Sequence, residues 1–77
     1  MNPKPQSVVA ADDYKLCIKF DNGEEKVFDM KPFLHYPVYQ ELQDKLLFKD
    51  ATVRYGTVVW NEEIDVDPDR LYLESKR

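Results

Sequence analysis

Residues 15 to 29 read as one β-hairpin, and no other feature limits the fold of this chain as strongly. Leu16, Ile18 and Phe20 alternate with Lys15, Cys17 and Lys19, the two-residue period of a strand with one buried and one wet face. Asp21-Asn22-Gly23-Glu24 follows, and Asn-Gly supplies the positive φ angles that a tight turn requires. The returning strand is Glu25-Lys26-Val27-Phe28-Asp29, closing before Pro32. Two registers are open. A two-residue loop at Asn22-Gly23 sets Ile18 opposite Val27, whereas a three-residue loop from Asp21 to Gly23 sets Leu16 opposite Phe28.

The remaining segments build outward from that hairpin. Ser7-Val8-Val9-Ala10-Ala11 is a short β-prone run after a Pro-marked start that is expected to fray. Thr52-Val53-Arg54 and Thr57-Val58-Val59-Trp60, joined through Tyr55-Gly56, read as a second hairpin, with Ile64 and Val66 as a further short strand. Between the hairpins, Pro37 suits the first turn of a helix, where its missing N–H is no loss. Val38, Leu42 and Leu46 then fall at i, i+4 and i+8 as a narrow apolar stripe, with Gln40, Glu41, Gln43, Asp44 and Lys45 on the other side. This spacing predicts one helix near residues 37–45, with Leu46-Leu47-Phe48 entering the core behind it. Asp67-Pro68-Asp69-Arg70 starts a single turn carrying Leu71 and Tyr72, and Glu74-Ser75-Lys76-Arg77 is a polar end. The expected fold class is α+β: antiparallel β-hairpins with one short α-helix packed on the sheet. Residues 1–77 form a single domain with an ordered core of about 8–74.

Size sharpens the question of what stabilises such a fold. A chain of 77 residues buries only a little over about 60% of the surface its unfolded form exposes. Domains this small gain stability from disulfides, metals or association. Cys17 is the only cysteine, so an internal disulfide is excluded. Cys17 and His35 are the only soft ligands, short of the four that a structural zinc site draws from Cys and His. No metal or cofactor is expected, which leaves a protein partner or a second copy. The lone cysteine fits a reducing compartment. No apolar run approaches the roughly 20 residues that cross a bilayer, and Met1 to Ser7 lacks the apolar core of an export signal. The expected location is therefore cytoplasmic, off the membrane. Eleven Lys and Arg against fifteen Asp and Glu give a net charge of −4. Nucleic-acid affinity rests on neutralising phosphates, so direct binding to DNA or RNA is not expected.

Three patterns suggest chemistry, and each has a plainer explanation. Asp65, Asp67 and Asp69 have the spacing that opens an EF-hand loop, but Arg70 stands at its glycine position and Lys76 at its closing glutamate. The same spacing is the outward face of a strand with Ile64 and Val66 inward. Glu62, Glu63 and Asp65 lack the apolar shell and second group that separate the pKa values of catalytic carboxyls. Cys17 and His35 lack the third, orienting residue of a nucleophile–base pair. The chain is read as not an enzyme. Its ten aromatic residues, Tyr14, Phe20, Phe28, Phe33, Tyr36, Tyr39, Phe48, Tyr55, Trp60 and Tyr72, are more informative. Most must fill the core, while Tyr and Trp are preferred anchors of protein interfaces. The candidate partner-binding residues are Tyr36, Tyr39 and Trp60, with the acids Glu62, Glu63 and Asp65.

Taken in order, Asp13-Tyr14-Lys15-Leu16, Phe20-Asp21-Asn22-Gly23-Glu24, Phe28-Asp29-Met30, Leu47-Phe48, Trp60-Asn61 through Ile64-Asp65, and Pro68-Asp69-Arg70-Leu71-Tyr72 resemble a bacterial family of unknown function, domain family 2442. The resemblance runs from about Val8 to Ser75, and none of its motifs is catalytic. It implies a small α+β fold, sometimes fused to a helix-turn-helix domain. It also implies members lying beside a second small protein, as in toxin–antitoxin pairs. With the chain ending at Arg77, no fused DNA-binding domain is expected here. The functional expectation is a small protein-binding module, the antitoxin-like partner of a small basic protein, because acidic charge complements a basic surface. The alternative is a self-associating, homodimeric regulatory or scaffold domain.

Overall fold

The computed structural model describes residues 2–61 and 63–77. Strands β1 (Pro5–Ala11), β2 (Lys15–Phe20) and β3 (Glu25–Asp29) form an antiparallel meander in that spatial order. Strands β4 (Thr52–Arg54), β5 (Thr57–Trp60) and β6 (Ile64–Asp65) form a second one. Both expected hairpins are present and the α+β class holds. The first strand begins at Pro5, earlier than its apolar run suggests, because the Lys4 carbonyl accepts from the Asp21 N–H at 2.8 Å and ties the start of the chain to the turn.

The first hairpin takes the three-residue loop, with Leu16 opposite Phe28. The Gly23 N–H donates to the Phe20 carbonyl at 2.9 Å, and the Phe20 N–H to the Glu24 carbonyl at 2.8 Å. Only Gly23, at φ 90°, enters the left-handed region in this loop. Burial selects the register. Sliding β3 by one residue would turn Phe28, now 1% exposed, to the wet face. A Cβ on Gly23 would meet nothing within 4 Å, so Gly23→Ala tests backbone strain alone. The expected cost is about 1–2 kcal/mol, a fall in melting temperature of about 4–16 °C by circular dichroism.

The segment expected as one helix near 37–45 is not an α-helix. Pro37–Gln43 is a 3-10 segment, with the Tyr39 N–H donating to the Tyr36 carbonyl at 2.9 Å and the Asp44 N–H to the Glu41 carbonyl at 3.2 Å. In a 3-10 helix, side chains three apart eclipse. Phe33, Tyr36, Tyr39 and Leu42 stand at three-residue intervals, and Leu42 is fully buried with Phe33 and Tyr39 packed against the core. The i, i+4 stripe therefore breaks up: Leu42 is inside, whereas Val38 is 54% and Leu46 76% exposed. Helix α1 (Lys45–Phe48) follows, its start capped by Asp44, whose Oδ1 accepts from the Leu46 N–H at 3.0 Å. Of Leu46-Leu47-Phe48, only Phe48 is fully in the core.

Helix α2 (Pro68–Glu74) is longer than the single turn expected. Pro68 opens it, and the Asp67 Oδ1 accepts from the Asp69 N–H at 3.1 Å as its cap. Leu71 is buried beneath it, and the Tyr72 ring meets Phe20 edge-on at 5.1 Å. The Lys26 ammonium lies 3.9 Å from the centre of the Tyr72 ring. The polar end is also held: Ser75 is 7% exposed, and Lys76 and Val27 exchange both backbone hydrogen bonds, at 2.6 and 2.8 Å.

Glu24 joins this end to the turn. It accepts from the Tyr72 hydroxyl at 2.5 Å, Asn22 at 2.6 Å and Arg77 at 3.0 Å. These donors, Tyr72 first, lower its pKa from 4.5 to about 2. A carboxyl acidified by folding stabilises the folded state in its charged form. That contribution is complete above pH 4.5 and is lost as pH falls toward 2. Glu24→Gln is expected to flatten the fall in urea midpoint across this window. An unchanged slope would mean that other carboxyls carry the acid response.

Trp60 is the centre of the core. It is 0% exposed, stacks on Phe48 at 5.9 Å, and donates its indole N–H to the Phe48 carbonyl at 2.9 Å. The inner faces of β2 and β3 close on it from the first sheet, with Val58, Ile64 and Val66 from the second. The radius of gyration is 11.3 Å, against about 11.5 Å for a compact chain of this length, so both sheets share one globule.

A candidate protein-binding groove

The β4–β5 hairpin turns through Tyr55 and Gly56, at φ 57° and 76°. Two successive positive φ angles are what a tight two-residue hairpin loop requires, and Gly accepts them freely. Tyrosine does not: a large L-residue in the left-handed region costs about 1–2 kcal/mol. Its ring recovers nothing from packing, since Tyr55 is 93% exposed. Gly56 fits closely, because a Cβ there would come within 3.1 Å of Lys4 Cδ.

Beside this ring runs a groove of about 390 Å³, lined by Arg54, Tyr55, Val59, Asn61, Glu63, Ile64 and Asp65. Val59, 8% exposed, shares the face of Asp65, whereas Ile64, 5% exposed, pairs with Trp60 on the core side. Glu63 and Asp65 bring two carboxylates against the single cation of Arg54. Asn61, at φ 40°, accepts from the Glu63 N–H through its side chain at 2.9 Å. The buried Thr57 hydroxyl donates to the Val66 carbonyl and fixes the chain leaving β6 against β5.

The expected site residues separate into groups. Glu63 and Asp65 lie exposed in the groove. Tyr39 is half-buried behind it and donates its hydroxyl to the Asp65 carbonyl at 3.0 Å. Burial raises the Tyr39 pKa, with the Asp65 and Asp67 carboxylates adding to the rise and Arg70 opposing it. Tyr39 thus braces β6. Tyr36 is 44% exposed and lies against His35, ring centres 4.3 Å apart. Trp60 must be withdrawn from the candidate interface: it has no exposed surface, and its one polar group is used inside the core. Glu62 lies outside the described residues. Tyr55, Arg54, Val59 and Asn61 were missed. The available signal was an aromatic residue at the first position of a two-residue turn, where Asn or Asp is preferred.

Among the described residues, no three His, Cys, Asp or Glu side chains stand close enough to hold a metal ion. The alternating acids take separate roles instead: Asp65 lines the groove, Asp67 caps α2, and Asp69 accepts from the Asn2 side chain at 3.2 Å. Among the described residues, no helix is long and apolar enough to cross a membrane.

Neither the curated proteins nor the solved structures contain a match to this chain. A family description does match, over residues 5–77: "Protein of unknown function (DUF2442)". It takes in every strand, the turn at Gly23, the groove and both helices, so the chain belongs to the DUF2442 family.

Proposed function

We propose that this protein is a protein-binding module whose contact surface is the groove along β4 to β6, with Tyr55 as its anchor. The observation that carries this reading is Tyr55, almost fully in solvent, in an unfavourable backbone conformation, beside a groove that Val59 and Ile64 help to line. Aromatic anchors surrounded by polar groups dominate the energetics of protein interfaces. Glu63, Asp65 and the net charge of −4 complement a basic surface, so the partner is a small basic protein. Masking such a partner is the antitoxin-like role in a two-protein system. Binding, not catalysis, is the activity of this module, and the cytoplasm is its place of action.

The test is a gentle pull-down from native lysate with four baits: the parent, Tyr55→Ala, Glu63→Lys and Asp65→Lys. All three substitutions fall on exposed side chains. The expected result is one basic protein recovered at near-equal abundance with the parent. Tyr55→Ala should weaken its binding by about 30-fold or more, a loss of about 2 kcal/mol. Either charge reversal should weaken it further as salt is lowered. Recovery of no stoichiometric partner, or of one that ignores all three changes, would sink the proposal.

A further inference from the structure

The outer face of the first sheet carries a charge pattern that the groove does not use. The strand register sets three cross-strand rows there: Ser7–Lys19–Glu25, Val9–Cys17–Val27 and Ala11–Lys15–Asp29. Read by strand, β1 contributes no charge, β2 two lysines around Cys17, and β3 two acids around Val27. Across the three strands the middle row is apolar yet open, with Val9 66% and Val27 36% exposed and Cys17 also in solvent, and Lys76 extends it beyond Val27. Lys15 and Asp29 approach only to 3.9 Å within the chain and keep 41% and 48% of their side-chain surface. Their charges are therefore available to another molecule.

We infer that this face pairs with the same face of a second copy, about a two-fold axis parallel to the strands and lying between β2 and β3. That operation places each β2 residue over the β3 residue of the same row in the partner copy. Lys15 meets Asp29, Lys19 meets Glu25, and Cys17 meets Val27, each pair occurring twice as an isologous interface requires. A two-fold axis along β2 sets lysine on lysine. An axis along the apolar row sets lysine on lysine and acid on acid. Of the three axes, this one alone sets both lysines of β2 over acids of β3, which selects a second copy over an unrelated partner. It also carries Lys76, which extends the middle row beyond Val27, over Val9 of the other copy. Edge-to-edge pairing through β3 is closed off, because Lys76 already takes its backbone hydrogen bonds at Val27. Three short strands offer less than the roughly 800 Å² per partner of a standard interface, so the dimer is weak and concentration-dependent. It does not depend on the groove, and either surface can be lost without the other.

The experiment is sedimentation equilibrium of the full chain from tens to hundreds of micromolar. It compares the parent, a Lys15→Glu, Lys19→Glu double variant, a Glu25→Lys, Asp29→Lys double variant, and an equimolar mixture of the two variants. The parent should pass from monomer to dimer. Each variant alone should stay monomeric, at least tenfold weaker. The mixture should dimerise, because all-acid and all-basic columns then face each other. A Lys15→Gln, Lys19→Gln variant, checked by circular dichroism, replaces either reversal that fails to fold and should weaken the parent dimer. A parent that stays monomeric throughout overturns the inference, as does any charge variant that alone associates as the parent does. A mixture of folded variants that stays monomeric also overturns it.

Discussion

Trp60→Ala is expected to remove from about a quarter to all of the folding stability of this chain. Removing a fully buried tryptophan costs about 3–5 kcal/mol, and the total stability of a chain of this length is about 4–12 kcal/mol. The loss is concentrated because Trp60 makes two kinds of contact at once. Its ring stacks on Phe48, which in turn meets Tyr14 edge-on at 5.2 Å. Its N–H satisfies the Phe48 carbonyl, otherwise left with a longer bond from the Ala51 N–H at 3.4 Å. Trp60→Phe separates the two, keeping an aromatic ring while deleting the donor, at an expected cost of about 1–3 kcal/mol. Urea unfolding followed by far-ultraviolet circular dichroism measures both. A Trp60→Ala protein within about 1 kcal/mol of the parent would contradict the burial described for this side chain.

The second large effect lies in the 3-10 segment. Leu42→Ala is expected to cost about 2–5 kcal/mol, because Leu42 is fully enclosed and its truncation removes buried apolar contacts and opens a cavity. Leu46→Ala, one α-helical turn later, should change stability by less than about 0.5 kcal/mol, since that side chain is 76% exposed. The pair discriminates between two periods. A true i, i+4 stripe would make both substitutions costly. A three-residue face makes Leu42 costly and leaves Leu46 neutral. Equal losses at both positions would show that residues 37–46 are α-helical in solution.

Much of the fold was legible because strand signals are local. Alternation over Lys15 to Phe20 assigns each side chain to a face without reference to any other segment, and Gly23 and Gly56 mark turns for a reason internal to their own backbone. The candidate site was less legible. Asp65 was visible as the exposed side of a strand and Glu63 as its acidic neighbour, whereas Tyr55 looked like one more turn residue. Aromatic identity does not say whether a ring points in or out: Trp60 and Tyr55 are five residues apart in one hairpin, and one is sealed while the other is bare.

The sequence by itself determined the two hairpins, which face of each long strand is apolar, the lack of an internal disulfide and the acidic balance. These depend on residue type and a two-residue period. Tertiary structure alone decided the loop at Asp21 to Gly23, the 3-10 path of Pro37–Gln43, the course of the last residues along β3, and the groove beside Tyr55. The reason is the same in each case. Both loop registers and both helical periods are locally acceptable, and they differ in which side chains reach a core assembled from distant segments. Phe28 fits that core only in one register, and Tyr39 and Leu42 fit it together only with a three-residue repeat.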